Sequence, residues 1–591
     1  MKINSFLPRE GYILEQRFMW KNKHIREQAA IIDGKQSPTL LLKNARFLHS
    51  VLRQWVNGNI WIHHNRIVYV GEALPKKTNG TEIVDCSGLT LVPGYIEPHS
   101  HPYLLYNPQS LSRYAAQTGT TTLINDNLFL FLHLPKKKAF SLLGKLWECP
   151  VTMYWWARYD AQTVLNGEEM IFSNRDVKEW IEHDKVIQGG ELTGWPQLLD
   201  GDDLMLYWIQ ETKRIGKKVE GHFPGASDRT LAKLMLFGTD SDHESITGED
   251  IYKRLMHGYT VSLRHSSVRP DLPVLLKEMK EQGIGQYDSM VLTTDGSTPS
   301  FYKQGMSDMM VRIAIESGVP AIDAYHMASY NVAKHYNLQH LHGMIATGRV
   351  ASINFLENEQ QPTPISVLAN GQWVKKSGKK IVVDEDICWK DYGIEPFSFD
   401  WQLTKEDLAY SMPFGIQMVS NAITKPYSIT RDVSDELPAD SDECFFMLLD
   451  RQGKWRINTL LKGFARHVGG FVSSFSTTGD IILIGKNKQD MLLAFDRMRG
   501  IQGGIVLVEN GVIIHEIRLP LLGIMSNKDL PALMEEEAEL IRLLVERGYP
   551  YSDPVYTLFF LSSTHLPYIR VTQRGMYDVK NKTVLFPTLM R

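Results

Sequence analysis

A chain of 591 residues is too long for one ordinary domain and has room for about three, each with a large buried core. Its 64 Lys and Arg nearly balance 67 Asp and Glu, for a formal charge of -3 and no polybasic tail, which disfavours binding to bulk nucleic acid or to an anionic membrane. The Met-Lys-Ile-Asn-Ser start has no apolar signal core, and no apolar run nears the roughly 18 residues of a membrane-crossing helix, so a soluble cytoplasmic protein is expected.

Residues 1–38 include RFMWKNKHIREQAAII, a basic amphipathic stretch that reads as a helix packed on the main body. From residue 39 the texture changes to short alternating runs, LLLKNARFLH, GNIWIHHNRIVYVG and EIVDCSGLTLVPG, punctuated by Asn-Gly and Gly; these read as strands and turns. The cysteines Cys86, Cys149, Cys388 and Cys444 have no paired spacing, which argues against a Cys-based zinc site and for small core side chains.

From Gly94 to about residue 341 the pattern repeats as strand, loop and helix. The predicted strands are GYIEPH, TTTLIND, VTMYWWA, KVIQGGE, KKVEGH, LMLFGTDSDH, YTVSLR and SMVLTTD, separated by helical-period runs such as GEDIYKRLMHG, LPVLLKEMKEQG and DMMVRIAIESG. Thr247 and Ser307 are expected N-caps. Eight strands alternating with helices is the count of an α/β fold of the (β/α)₈ barrel type, whose active site lies at the C-terminal ends of the strands.

A polar cluster falls at those ends. His99 and His101, two apart on a strand, point to one face and close the first strand. Glu191 closes the fourth, His222 the fifth, His243 the sixth and Asp295 the eighth. Each alone has an ordinary reading as a helix cap, an ion-pair partner or an Asx-turn residue. Six at the mouths of five strands point to chemistry: four imidazoles and two carboxylates suffice for two divalent ions, one carboxylate bridging, around a water whose pKa the pair lowers. Manganese, iron and zinc all suit these donors.

From about residue 397 the chain reads as mixed α/β, with strands CFFMLLD, DIILIGK, GGIVLVENG and VIIHEIRLP and a helix QDMLLAFDRMRG. A charged helix, LPALMEEEAELIRLLVERG, follows, and its glutamate run reads as a solvated face. No Gly-rich loop leads into a helix with Lys-Ser or Lys-Thr, so nucleoside triphosphate use is unsupported.

The segments PGYIEPHSH, GGELTG, GHFPGAS, DSDHE, LRHSS, LTTD and NVAKHYNLQHLHGMIATGRVASI, then GGIVLVENG and RLPLLGIMS, resemble in their order the adenine deaminases of the amidohydrolase superfamily. Besides the helical extension read over 1–38, the resemblance implies a small composite β-sandwich domain from 39–92 plus 346–383, a catalytic metal-dependent hydrolase barrel over 93–345 and a C-terminal α/β domain over 397–591. It implies that His99 and His101 hold one ion and His222 and His243 the other, with Glu191 bridging. Asp295 would be both a metal contact and the proton relay. The implied substrate is adenine, giving hypoxanthine and ammonia, or a related amino-heterocycle. Hydrolysis of a cyclic amide or another C–N bond by the same site is an alternative, as is a catalytically silent scaffold. Whether the chain forms a homo-oligomer is left open.

The chain also departs from that pattern. SSFSTTGDIILIG stands where the family carries a His-Asp-Ser-His-Asn stretch near the substrate, Gly296 replaces a second aspartate after the last strand, and His265 stands where a Glu is expected after Arg264. The expected substrate contacts are therefore Arg264, Ser476 and Asp480, the last through an exocyclic amine.

Overall fold

In the computed structural model, which describes residues 20–430, 437–438 and 441–591, eight parallel strands form one sheet in chain order. They are β1 (Tyr95–Ser100), β2 (Thr120–Asn125), β3 (Thr152–Ala157), β4 (Val186–Leu192), β5 (Lys218–Gly221), β6 (Ser241–Asp242), β7 (Thr260–Arg264) and β8 (Met290–Thr293). Strands β2 and β3 are buried at every position, because helices cover the outer face while side chains fill the interior.

The sheet curls until β8 lies beside β1, and Glu97 ties the two edges. Its carboxylate accepts from Thr293 Oγ1 at 2.6 Å, from Thr294 Oγ1 at 2.9 Å and from Thr294 N at 3.1 Å. Burial pushes the Glu97 carboxyl up to about 7 against the pull of those donors. The result is the expected (β/α)₈-type barrel.

Two local expectations give way. The run Leu234–Phe237, read as strand, ends the helix Asp228–Phe237: Ser227 caps its start by accepting from Thr230 N, and Gly238 at φ 116° stops it. Only Ser241–Asp242 of that segment is strand. Thr247 does form a capping box with Asp250, but Ser307 lies inside its helix and its Oγ accepts instead from Thr120 Oγ1 at 2.9 Å.

A nine-stranded sheet flanks the barrel and draws on both sides of it in sequence, Thr90–Pro93 pairing antiparallel with Ile353–Leu356. The helix Asn22–Ile32 packs on this sheet through Ile31, which meets Leu41, Trp61 and Val68; residues 17–19 of the expected helix lie outside the described residues. The C-terminal part is a second nine-stranded sheet whose helix Lys488–Gly500 buries Met491, Ala494, Phe495 and Met498.

The helix Leu530–Glu546 corrects the reading of its glutamates. Glu535 is exposed, but Glu537 is fully buried and accepts from Ser300 N at 2.5 Å, docking this helix on the barrel. Cys86, Cys149 and Cys444 are buried free thiols, whereas Cys388, expected in the core, is exposed. Among the described residues no helix is long and apolar enough to cross a membrane.

Candidate metal centre and its cavity

The parallel strands end together, so the side chains at or just past those ends converge. His99 Nε2 lies 3.2 Å from His101 Nε2 and 3.2 Å from Asp295 Oδ1. On the other side His222 Nδ1 lies 3.1 Å from His243 Nε2. Glu191 stands between the pairs. Its Oε1 is 2.6 Å from His222 Nδ1 and 3.3 Å from His243 Nε2, while its Oε2 faces His99 Nε2 and His101 Nε2, each at 3.9 Å. All six predicted ligand residues are thus brought together, in overlapping groups whose donor atoms lie within 4.8 Å of one another.

The ring nitrogens facing away from the cluster decide what those facing it can do. His101 Nδ1 donates to Asp126 Oδ2 at 2.9 Å and His243 Nδ1 donates to Glu220 Oε1 at 3.2 Å; His99 Nδ1 faces the same Glu220 oxygen at 3.4 Å. A proton held on the back nitrogen leaves a lone pair at the front, which is the tautomer a metal ligand needs. Lone pairs converging at 3.1 to 3.2 Å beside two carboxylates repel one another unless a cation lies among them. The donor set therefore fits divalent ions of borderline hardness.

Charge points the same way. Buried carboxylates of Asp126, Glu191, Glu220, Glu244 and Asp295 outnumber the guanidiniums of Arg158, Arg264 and Arg269 around the cluster. Burial would push Asp295 up, but Arg264, 2.9 Å away, and His101 hold it far below the usual range. Burial likewise opposes ionisation of Glu191, and Arg158 and His222 outweigh it. His101 is held up to about 9, burial being overcome by Asp126 and Asp295; the field that would hold a proton there is the field that would hold a cation.

Several participants escaped the sequence reading. Asp126 ends the second strand run and accepts from Arg158 Nε at 2.9 Å. Arg158, just past β3, also reaches Glu191 Oε2 at 2.8 Å. Glu220 lies inside β5, and Glu244 follows His243 and pairs with both Arg264 and Arg269. The available signal was the same as for the histidines, a charged residue at or beside a strand end. His565 and Tyr556 come from the C-terminal part, where no such rule applies.

The cluster opens into a cavity of about 150 Å³ shared between the barrel and the C-terminal part. Its walls are largely apolar, with Leu128, Phe129, Phe475, Phe559 and Phe560, and Tyr556 Oη donates to Gly296 O at 2.6 Å to close the seam. Arg264 and Ser476 line it as expected; Asp480 does not. The Asp480 carboxylate instead accepts from Thr478 Oγ1 at 2.5 Å and from Gln573 Nε2 at 3.0 Å, so the expected contact with an exocyclic amine is corrected. His265 packs beside Phe301 with the rings tilted at 46°, away from the cavity lining.

An eight-stranded parallel barrel with this cluster at its strand ends defines a metal-dependent hydrolase, and the matches to known families are of that class. The amidohydrolase family matches residues 90–376 and the adenine deaminase C-terminal domain matches residues 421–583. The chain is 54% identical to a Bacillus cereus protein named "Putative adenine deaminase", over 97% of this chain and 98% of that one. It is 26% identical to the "Adenine deaminase" of Kosmotoga olearia over 93% and 96%. Among solved structures, a beta-aspartyl dipeptidase from Fervidobacterium islandicum superposes with a TM-score of 0.44 and 19% identity over 59% of this chain and 99% of that one. The chain belongs to the adenine deaminase family.

Proposed function

We propose that this protein hydrolyses adenine, or a closely related amino-heterocycle, to the oxo product and ammonia. The observation that carries the reading is Glu191 set between two histidine pairs at the floor of an apolar cavity that the C-terminal part closes. His99, His101 and Asp295 would hold one divalent ion and His222 and His243 a second, with Glu191 shared. Ions of this kind, when bound, lower the pKa of water enough to supply a nucleophile near neutral pH.

The chain's own residues do the rest. Asp295 is unprotonated at rest and accepts a proton as the attacking oxygen adds to the ring carbon bearing the amine, then returns it to the departing nitrogen. Arg264, on Asp295 Oδ2, and the turn of Asp295 and Gly296, held by Tyr556, fix that carboxylate in place. The aromatic wall receives a flat ring and excludes bulk water.

The test is ammonia release from adenine by protein reconstituted with manganese, iron or zinc, alongside a panel of other purines, pterins and cyclic amides. Close to two ions per chain and turnover of adenine are expected, with His99→Ala and His222→Ala lowering both. A folded, reconstituted protein with metal content near zero, or with activity on cyclic amides alone, would refute the reading.

A further inference from the structure

The loop after the helix Pro554–Phe560 delivers a fifth imidazole, His565, to the cavity. Its ring stands edge-on to His222, centroids 5.1 Å apart and planes at 89°. The loop is built into that position. Thr477 Oγ1 donates to Phe559 O at 2.6 Å, Ser562 Oγ donates to Thr477 Oγ1 at 3.1 Å, and Thr564 N donates to Gln162 O at 2.9 Å.

The hydrogen bonds also fix the tautomer. His565 Nδ1 lies 3.3 Å from Gln162 O, and a carbonyl only accepts, so the proton sits on Nδ1 and Nε2 carries a lone pair. Gln162 is itself held, its Nε2 donating to Glu191 Oε2 at 3.1 Å, so His565 is in register with the metal cluster through one intervening side chain. Several other polar groups of the cavity wall are committed elsewhere, although the buried Tyr103 hydroxyl there has no hydrogen-bond partner among the described residues. Arg264 and Arg269 pair with Glu244, and Ser476 Oγ donates to Asp480 O at 2.8 Å.

We propose that His565 is a substrate-contacting residue whose Nε2 accepts a hydrogen bond from a ring N–H of the heterocycle, setting the ring's orientation over the cluster. This rests on the deaminase reading above. A donor at that edge of the substrate is selected, and an analogue with the nitrogen methylated leaves a buried acceptor unpaired.

The experiment compares manganese-loaded wild type, His565→Leu and His565→Gln on adenine, 7-methyladenine and 9-methyladenine, reading kcat/KM from ammonia release and Kd for hypoxanthine by calorimetry. Wild type should favour adenine by about tenfold over both methylated forms, neither of which carries a ring N–H. His565→Leu, similar in bulk but without an acceptor, should lose about that factor on adenine alone, weaken hypoxanthine binding to match and so erase the preference. His565→Gln, which keeps an acceptor oxygen, should recover part of it. An equal loss on all three substrates would mean that His565 only shapes the wall, and overturns the proposal. Wild type inactive on all three overturns the deaminase reading instead; the contact is then judged on hypoxanthine binding, and a Kd unchanged by His565→Leu overturns it.

Discussion

Gly296 abuts His101 so closely that a Cβ on the glycine would lie 2.5 Å from the histidine's Cβ and 2.7 Å from its Cδ2. Its backbone sits at φ 58°, where a side chain is also strained. A second acid, at position 296, is therefore opposed here by packing as well as absent from the sequence. We expect Gly296→Ala to cost about 1 to 2 kcal/mol for the left-handed backbone alone and to displace His101. Thermal melting and metal titration check this; a variant with unchanged melting and full metal affinity would show that the turn can relax at no cost.

Asp126 receives His101 Nδ1 and two bonds from Arg158. Replacing it with Asn keeps the size but offers an amide N–H that can turn the imidazole to the wrong tautomer. Loss of such an outer partner typically costs about 10- to 100-fold in metal affinity. Competition against a chelator should show that loss for Asp126→Asn, with folding intact by circular dichroism. Affinity equal to wild type would remove Asp126 from any orienting role.

The legible parts of this molecule share one property: their role follows from local spacing. Alternation along a strand aims His99 and His101 one way, and the strand–helix repeat brings Glu191, His222, His243 and Asp295 to the same rim. Asp126 and Glu220 sit in the same runs and Arg158 just past one, but as single charged residues they acquire partners only when the sheet curls. Glu537 is different: it falls on the apolar stripe of Leu530, Leu533, Met534, Leu540 and Leu544, but a glutamate there reads as solvated until Ser300 N is brought to it. Ser227, Asp228 and Gly238 carry the cap and stop signals of the helix Asp228–Phe237, while its apolar end, LMLF, has the composition of a strand.

Asp295 is the group on which we place proton transfer. Asn at this position retains an oxygen toward the cluster and removes the base, and general acid–base catalysis is typically worth about 10² to 10⁴ in rate. We expect Asp295→Asn to lower kcat by that order while retaining most bound metal, since His99 and His101 are unchanged. Near-full turnover in a metal-replete Asp295→Asn protein would pass the relay to another side chain.

Glu537 and Asp553 form a buried acidic pair where the C-terminal part meets the barrel. Glu537 accepts from Ser300 N, Asp553 accepts from Thr298 Oγ1 at 3.2 Å, and Tyr106 also faces Glu537. Burial, reinforced by the neighbouring Asp553, pushes the Glu537 carboxyl from 4.5 up to about 8. A carboxyl whose pKa is raised on folding binds its proton more tightly in the native state. Its contribution to stability is therefore full below about pH 4.5 and is lost as pH rises through about 8, at no more than about 1.4 kcal/mol per pH unit. Glu537→Gln is permanently neutral and keeps an oxygen for Ser300 N, so it should lack this loss. Melting temperatures of the two proteins, measured at matched metal loading from pH 5 to 9, should diverge with rising pH, wild type falling further. Comparing the pair cancels pH effects common to both, including those on the metal centre. Parallel curves across the range would mean that Glu537 is ionised in the native protein and that its charge is met by partners other than Ser300.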